Sequence, residues 1–124
     1  MILGIGTDIV DNERINSVLS KHGQRFIKKV FSSREAERLR GVGNTQRAAS
    51  TFAAKEALVK ALGTGFRYGI SFGDIEVVRD RHGKPRINLS GRAAGFARKM
   101  GVKRIHLSLS HEKSHSVAVV LLES

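Results

Sequence analysis

An α+β domain, with an antiparallel sheet of about five strands packed with a long central helix, is the fold that this sequence predicts, and three observations predict it. The chain has 124 residues, a length suited to one domain over residues 1–124 with a modest core. Its middle holds a run from Thr45 to Leu62 that is rich in Ala, Leu and Phe and has no obvious polar face. A helix apolar on most sides is a buried one. Around that run stand five short segments that alternate or run apolar, with neither an internal repeat nor a linker between them.

Taken in order, Ile2-Leu-Gly-Ile-Gly-Thr-Asp-Ile-Val10 sets β-branched and apolar residues about two glycines and reads as a buried strand. Gly4 and Gly6 imply that another backbone or a ligand comes close to it. A helix opens at Asp11 or Asn12 with Ile15, Val18 and Leu19 on its apolar side, and Phe26, Ile27, Val30 and Phe31 form a second apolar patch. Ser32-Ser-Arg-Glu35 has the spacing of a capping box and opens a short helix that stops at Gly41. The long helix follows, closed by Gly63. Ile75-Glu-Val-Val-Arg79 and Pro85-Arg-Ile-Asn-Leu89 alternate about Asp80-Arg-His-Gly83, the pattern of a hairpin. Ser90 caps a helix through Met100 with Ala94, Phe96 and Ala97 inward. Ile105, Leu107 and Leu109 then alternate with His106, Ser108 and Ser110, and Val117 to Leu122 is continuously apolar.

Charge is the strongest bulk signal. Lys and Arg number 22 against 11 Asp and Glu, a net charge of +11 that favours an anionic partner. Between residues 12 and 47 lie nine Lys and Arg against three Glu. Such a run also suits a solvated face kept for solubility. An RNA-binding or ribosome-associated protein is a second reading of the same charge. Against it stand only seven aromatic residues, six Phe and Tyr68, with no stacking pattern. Without cysteine the chain has no disulfide and no zinc-thiolate site. Nowhere do about 18 apolar residues run together, and the apolar N-terminal stretch has no basic region ahead of it. A soluble, cytoplasmic protein without a membrane partner is expected.

The candidate chemistry begins on the long helix. Glu56 and Lys60 are four apart and share one face, with about 5–6 Å between Cβ atoms. In an apolar helix they are either an ordinary helix pair or a carboxylate and ammonium held for a metal-bound phosphate. Asp8, near the end of the first strand, is either a turn or helix cap or a second carboxylate for the same site. Gly63-Thr-Gly65 is not a phosphate-binding P-loop, because its glycines end a helix instead of joining a strand to one. His22, His82, His106 and His115 show no ligand spacing, and His111 ends a strand.

Gly4-Ile-Gly6-Thr-Asp8-Ile, then Phe52-Ala-Ala-Lys55-Glu56-Ala-Leu-Val-Lys60-Ala-Leu-Gly63-Thr-Gly65, then Gly83-Lys84-Pro85, then Ser108-Leu-Ser110-His111 resemble, in order, the holo-acyl-carrier-protein synthase family. This is the short bacterial type of 4'-phosphopantetheinyl transferase, and the match runs from residue 2 to about residue 122. The resemblance implies the 4'-phosphopantetheinyl transferase fold. It also implies transfer of the 4'-phosphopantetheine arm of coenzyme A to a serine of apo acyl carrier protein, with release of adenosine 3',5'-bisphosphate, in fatty acid biosynthesis. Asp8 and Glu56 would hold Mg²⁺, which takes one or two carboxylates and fills its other positions with water and phosphate oxygens. Asp8, Glu56 and Lys60 would be catalytic, with Glu56 or a water on the metal receiving the serine proton. Arg47, Lys55, Lys60, Gly63, Gly65, Lys84, Pro85, Ser110 and His111 would contact coenzyme A. Arg14, Arg25, Phe26 and Lys29 would meet the acidic carrier protein. A homotrimer with sites between subunits, and no nucleic-acid partner, completes the implication. One departure stands out: the family's Arg before Phe-Ala-x-Lys-Glu is Thr51 here, and Arg47, one helical turn earlier, is expected to replace it.

Overall fold

The computed structural model describes residues 1–40 and 44–124, so the expected stop of the second helix at Gly41 lies outside the described residues. Strand β1 covers Ile2–Asp11 and is followed by helices α1 (Asn12–Val30), α2 (Ser33–Glu37) and α3 (Asn44–Leu62). A 3-10 turn at Phe72–Asp74 leads into β2 (Ile75–Arg79) and β3 (Pro85–Leu89). Helix α4 (Gly91–Met100), β4 (Arg104–His111) and β5 (His115–Glu123) complete the order. Among the described residues no helix is long and apolar enough to cross a membrane.

The five strands of the described residues pair antiparallel, but in two sheets instead of one: β1-β5-β4 and the hairpin β2-β3. The outer edge of β2 is closed by a side chain, since the Val77 N–H donates to Glu35 Oε2 at 2.7 Å. That bond satisfies an edge donor which a further strand would otherwise take.

Helix α3 lies across the inner face of the larger sheet and forms the centre of the core. Ala48, Ala49, Ala53, Ala54, Ala57, Leu58 and Val59 are all fully buried. The small side chains let the helix backbone settle directly onto β1. A Cβ on Gly6 would overlap the Ala57 carbonyl oxygen and stand 2.6 Å from the Ala61 nitrogen, and a Cβ on Gly4 would overlap the Ala61 carbonyl oxygen. The approaching backbone foreseen for these glycines is therefore that of α3. Overpacking a core costs about 1–3 kcal/mol, and here the obstacle is backbone that no rotamer change can move. Gly6→Ala is expected to reach at least the upper end of that range, read as a lowered urea midpoint with an unchanged slope.

The first helix begins where expected, with Asp11 as its cap accepting from the Glu13 N–H at 2.9 Å. It is not continuous. Gly23 has φ 41° and ψ −113°, a conformation glycine alone adopts readily, and it breaks α1 into Asn12–His22 and Gln24–Val30. The two apolar patches read from the sequence belong to these two halves. The capping box at Ser32 forms as foreseen, with Glu35 N–H to Ser32 Oγ at 3.2 Å and Ser32 N–H to Glu35 Oε1 at 2.8 Å.

Helix α4 departs in detail from its expectation. Ser90 makes no side-chain cap; Asp74 from the 3-10 turn does the capping instead, accepting from the Ala93 N–H at 3.2 Å. This pulls Ala93 inward with Ala97, while Ala94 and Phe96 are half-buried.

Candidate active site

Asp8 belongs to the α3-facing side of β1, two residues beyond Gly6, so the close strand–helix contact carries its carboxylate to the helix. Helix capping falls to Asp11, which leaves Asp8 free to pair with Lys60 across the two elements, Nζ to Oδ1 at 3.0 Å. The same ammonium donates to the Thr7 carbonyl at 3.2 Å. Lys60 thus pairs with the strand and not, as an ordinary helix pair would, with Glu56 one turn away. Asp8 is 13% exposed against 53% for the lysine, so a long cation reaches from solvent to a sheltered anion.

Glu56 shares this corner. Burial raises its pKa above the usual carboxylate value, the Asp8 charge raises it further, and Lys60 acts in the opposite sense. Two carboxylates that repel one another with one ammonium beside them form a locally anionic pair that a cation would relieve. Among the described residues no group of three or more His, Cys, Asp or Glu gathers to enclose a metal. Two carboxylates are a number that a hard ion such as Mg²⁺ can use, its other positions being filled by water and phosphate oxygens. A cleft of about 330 Å³ opens beside them between α1 and α3, walled by Arg14, Val18, Phe26 and Phe52.

A second cleft, about 340 Å³, is lined by Arg47, Ser50, Arg79, Gly83 and His111. Burial lowers the pKa of the Arg79 guanidinium, and the neighbouring charges of Arg38 and Arg47 lower it further. Arg47 is steadied by donating to the Arg38 carbonyl at 3.0 Å, and Arg79 by donating to the Gly83 carbonyl at 2.9 Å. Two guanidinium groups in a cleft, with Arg38 near enough to add its charge, are relieved by an anion carrying several negative oxygens.

Comparison with known proteins decides what this arrangement belongs to. Residues 4–120 match the model of the 4'-phosphopantetheinyl transferase superfamily. The chain belongs to that superfamily. A holo-[acyl-carrier-protein] synthase of Vibrio vulnificus is 45% identical over 124 residues, covering 99% of this chain and 98% of that protein. The crystal structure of holo-[acyl-carrier-protein] synthase from Neisseria meningitidis superposes with a TM-score of 0.90 at 37% identity, covering the whole of both chains. That of a holo-(acyl-carrier-protein) synthase from Bacillus anthracis in complex with CoA (3',5'-ADP) superposes at 0.83 with 38% identity, covering 100% of this chain and 98% of the other.

In this transferase the residues expected at the site are spread over several places. Asp8, Glu56 and Lys60 come together in one corner, as described above. Arg47 and His111 line the arginine cleft at the Gly83 turn, which Lys84 and Pro85 continue, and Ser110 and His111 border a further cleft with Ile9 and His115. Gly63 and Gly65, at φ 80° and 62°, turn the chain at the end of α3, where the Thr64 and Gly65 N–H groups both reach back to the Val59 carbonyl. Arg14 and Phe26 wall the carboxylate cleft, and Phe26 also lines an adjoining hollow with Arg25, Lys29 and His22.

Lys55 is a correction. It is 0% exposed, and its ammonium is used up inside the protein by the Val30 carbonyl at 2.5 Å, Glu35 Oε1 at 2.7 Å and the Phe72 carbonyl at 3.2 Å. A lysine so enclosed has no reach to coenzyme A. Thr51 is buried as well, whereas Arg47, one turn earlier, is exposed and lines the arginine cleft. Sequence reasoning did not place Arg38 or Arg79 at a site. Arg38, at the end of α2, counted only among the nine cations between residues 12 and 47, and Arg79 only as a residue of β2.

Proposed function

We propose that this transferase moves the 4'-phosphopantetheine arm of coenzyme A onto a serine of an apo acyl carrier protein, with Mg²⁺, in the service of fatty acid biosynthesis in the cytoplasm. The corner of Asp8, Glu56 and Lys60 carries this reading: two sheltered carboxylates and one solvent-reaching ammonium, beside a cleft of about 330 Å³. Phosphoryl transfer asks little covalent chemistry of a protein. It asks for positioning and for charge to be neutralised as the bond breaks.

Asp8 and Glu56 would hold the magnesium, whose chemistry when bound is to neutralise the diphosphate oxygens and favour departure of the nucleotide. Lys60 would donate to the same phosphates by releasing its bond to Asp8. The serine hydroxyl gives its proton to Glu56 or to a water as its oxygen bonds to the β-phosphorus, the bond from that phosphorus to the bridging oxygen breaks, and adenosine 3',5'-bisphosphate leaves with that oxygen. The arginine cleft of Arg47, Arg79 and His111 suits the phosphates of the nucleotide end. Two relatives with known structures, from Bacillus anthracis and Helicobacter pylori, are described in complex with CoA (3',5'-ADP) and with coenzyme A, which supports this choice of donor.

Assembly follows the same reasoning. The face of the larger sheet turned away from α3 carries Ile5 and Ile9, each 66% exposed, and Val119 at 38%. Exposed branched aliphatics in paired strands suit burial against another copy. The cleft of Ile9, Ser110 and His111 lies at the edge of that face, so a homotrimer would place substrate sites between subunits. Mass spectrometry of apo carrier protein incubated with coenzyme A and Mg²⁺ tests the activity directly. A gain of one phosphopantetheine mass is the expected result, and its absence at high enzyme concentration would refute the assignment.

The carrier's acidity also makes a prediction. Arg14 stands in the wall of the carboxylate cleft. Arg14→Glu is expected to raise KM for the carrier and leave KM for coenzyme A unchanged. For the unaltered enzyme the rate at low carrier concentration is expected to fall with salt, since the screening length is about 10 Å at 0.1 M. An RNA-binding protein would show neither effect. Steady-state kinetics varying each substrate in turn at two salt concentrations separates the two.

A further inference from the structure

The mechanism makes no use of Lys55, which is the largest fully buried side chain among the described residues. Its three acceptors come from different elements: the last carbonyl of α1 at Val30, the Glu35 carboxylate on α2, and the Phe72 carbonyl of the 3-10 turn. The Phe31 ring lies under the ammonium, 5.9 Å to its centre. The α1 contact matters most for function. Carbonyls in the last turn of a helix have no partner within it, and Lys55 occupies the one at Val30.

The half-helix ending there, Gln24–Val30, is structurally distinct from the half before it because of the break at Gly23. It carries Arg25 and Lys29, and Phe26 presents its ring to two adjoining clefts. The Phe26 ring is itself held from beneath by Phe31, centroids 5.7 Å apart and edge to face, and by Phe52 at 6.2 Å. Phe52 stands one turn before Glu56 on α3. A basic and aromatic surface is thus presented by seven residues whose attitude is set at one end by a glycine and at the other by a buried ammonium.

We propose that Lys55 and Gly23 are positioning residues: they fix the angle against α3 of Gln24–Val30, the segment that bears the carrier contacts Arg25, Phe26 and Lys29 expected above. The inference rests on the carrier-protein reading above. Lys55 takes no part in holding coenzyme A; its effect on the reaction runs through the segment whose end it grips. Gly23 has nothing within 4 Å of the place a Cβ would occupy, so Gly23→Ala introduces no collision. It makes the observed φ and ψ unfavourable and so re-aims the segment without touching either substrate.

The test measures both KM values in Gly23→Ala, Lys55→Met and the milder Lys55→Arg, at a temperature where circular dichroism shows each folded. Expected is a rise in KM for the carrier on the order of tenfold in Gly23→Ala and Lys55→Met, equivalent to about 1.4 kcal/mol of lost recognition. Lys55→Arg, which keeps the charge, is expected to fall between Lys55→Met and the unaltered enzyme. KM for coenzyme A, and kcat at saturating carrier, stay within about twofold in all three. If Lys55→Met fails to fold, the other two variants decide. An unchanged carrier KM in the folded variants, or equal rises for both substrates, overturns the proposal. Failure of the unaltered enzyme to modify any carrier would overturn the functional reading instead, a result the mass measurement distinguishes.

Discussion

Glu56→Gln is expected to abolish turnover while making the metal-free protein more stable at neutral pH. The first effect comes from the proposed site: a Mg²⁺ held by Asp8 and Glu56 would lose one of its two protein carboxylates. Even changes to residues that only support a ligand cost about 10–100-fold, so the loss here is expected to exceed that. The second effect has a definite sign. The folded pKa of Glu56 lies above the unfolded value, through burial first and Asp8 second. Its contribution to stability is therefore fully present below the unfolded pKa of about 4.3 and is lost as pH rises through the folded value. At pH 7 the ionised group opposes folding, and glutamine removes that opposition. Asp8→Ala is expected to match the loss of turnover, with CoA-dependent modification of the carrier followed by mass spectrometry. A Glu56→Gln protein that is both inactive and less stable than the unaltered chain would show that the carboxylate has a structural duty.

Lys55→Met is expected to destabilise the protein by about 3–5 kcal/mol, the usual cost of leaving half of a buried ion pair uncompensated. Glu35, at 3% side-chain exposure, would lose its main counter-ion. Replacing both partners, Lys55→Met with Glu35→Leu, is expected to recover only part of the loss. Glu35 also accepts from the Ser32 and Val77 N–H groups, and an orphaned buried donor costs about 1–3 kcal/mol. Urea titration of the single and double variants gives the comparison. Full recovery in the double variant would mean that those two N–H groups find water.

Much of this molecule is legible in its residue order, for local reasons. The capping box at Ser32 and Glu35 is a contact across three residues, and the hairpin of β2 and β3 needs only alternation and the Asp80–Gly83 turn. Glycines at positions 4 and 6 announce a close backbone before the helix that supplies it is known. What stayed hidden depends on partners far along the chain. Lys55 and Lys60 look alike as lysines on one helix, yet one is sealed against Glu35, 20 residues away, and the other reaches Asp8, 52 residues away. No spacing rule separates them. Arg38, Arg47 and Arg79 meet only because α2, α3 and the hairpin converge. Asp74 takes over the capping of α4 from Ser90 for the same reason, being brought there by a turn that precedes the hairpin.

The seating of α3 on β1 has a consequence for how the two halves of the site keep their distance. Two residues of strand advance about 6.6 Å and four residues of helix about 6 Å, so Gly4 and Gly6 meet the Ala61 and Ala57 carbonyls at nearly the same pitch. Helix and strand mesh like a toothed rack against a gear. Small slides are blocked by carbonyl oxygens, and the next position at which the teeth engage lies a whole helical turn away. Asp8 is carried by one rack, Glu56 and Lys60 by the other. Their alignment is thus an indexed quantity, set by main-chain atoms and indifferent to side-chain rotamers, and the chemistry can be thrown out of step only by a full notch or by a tooth that no longer fits.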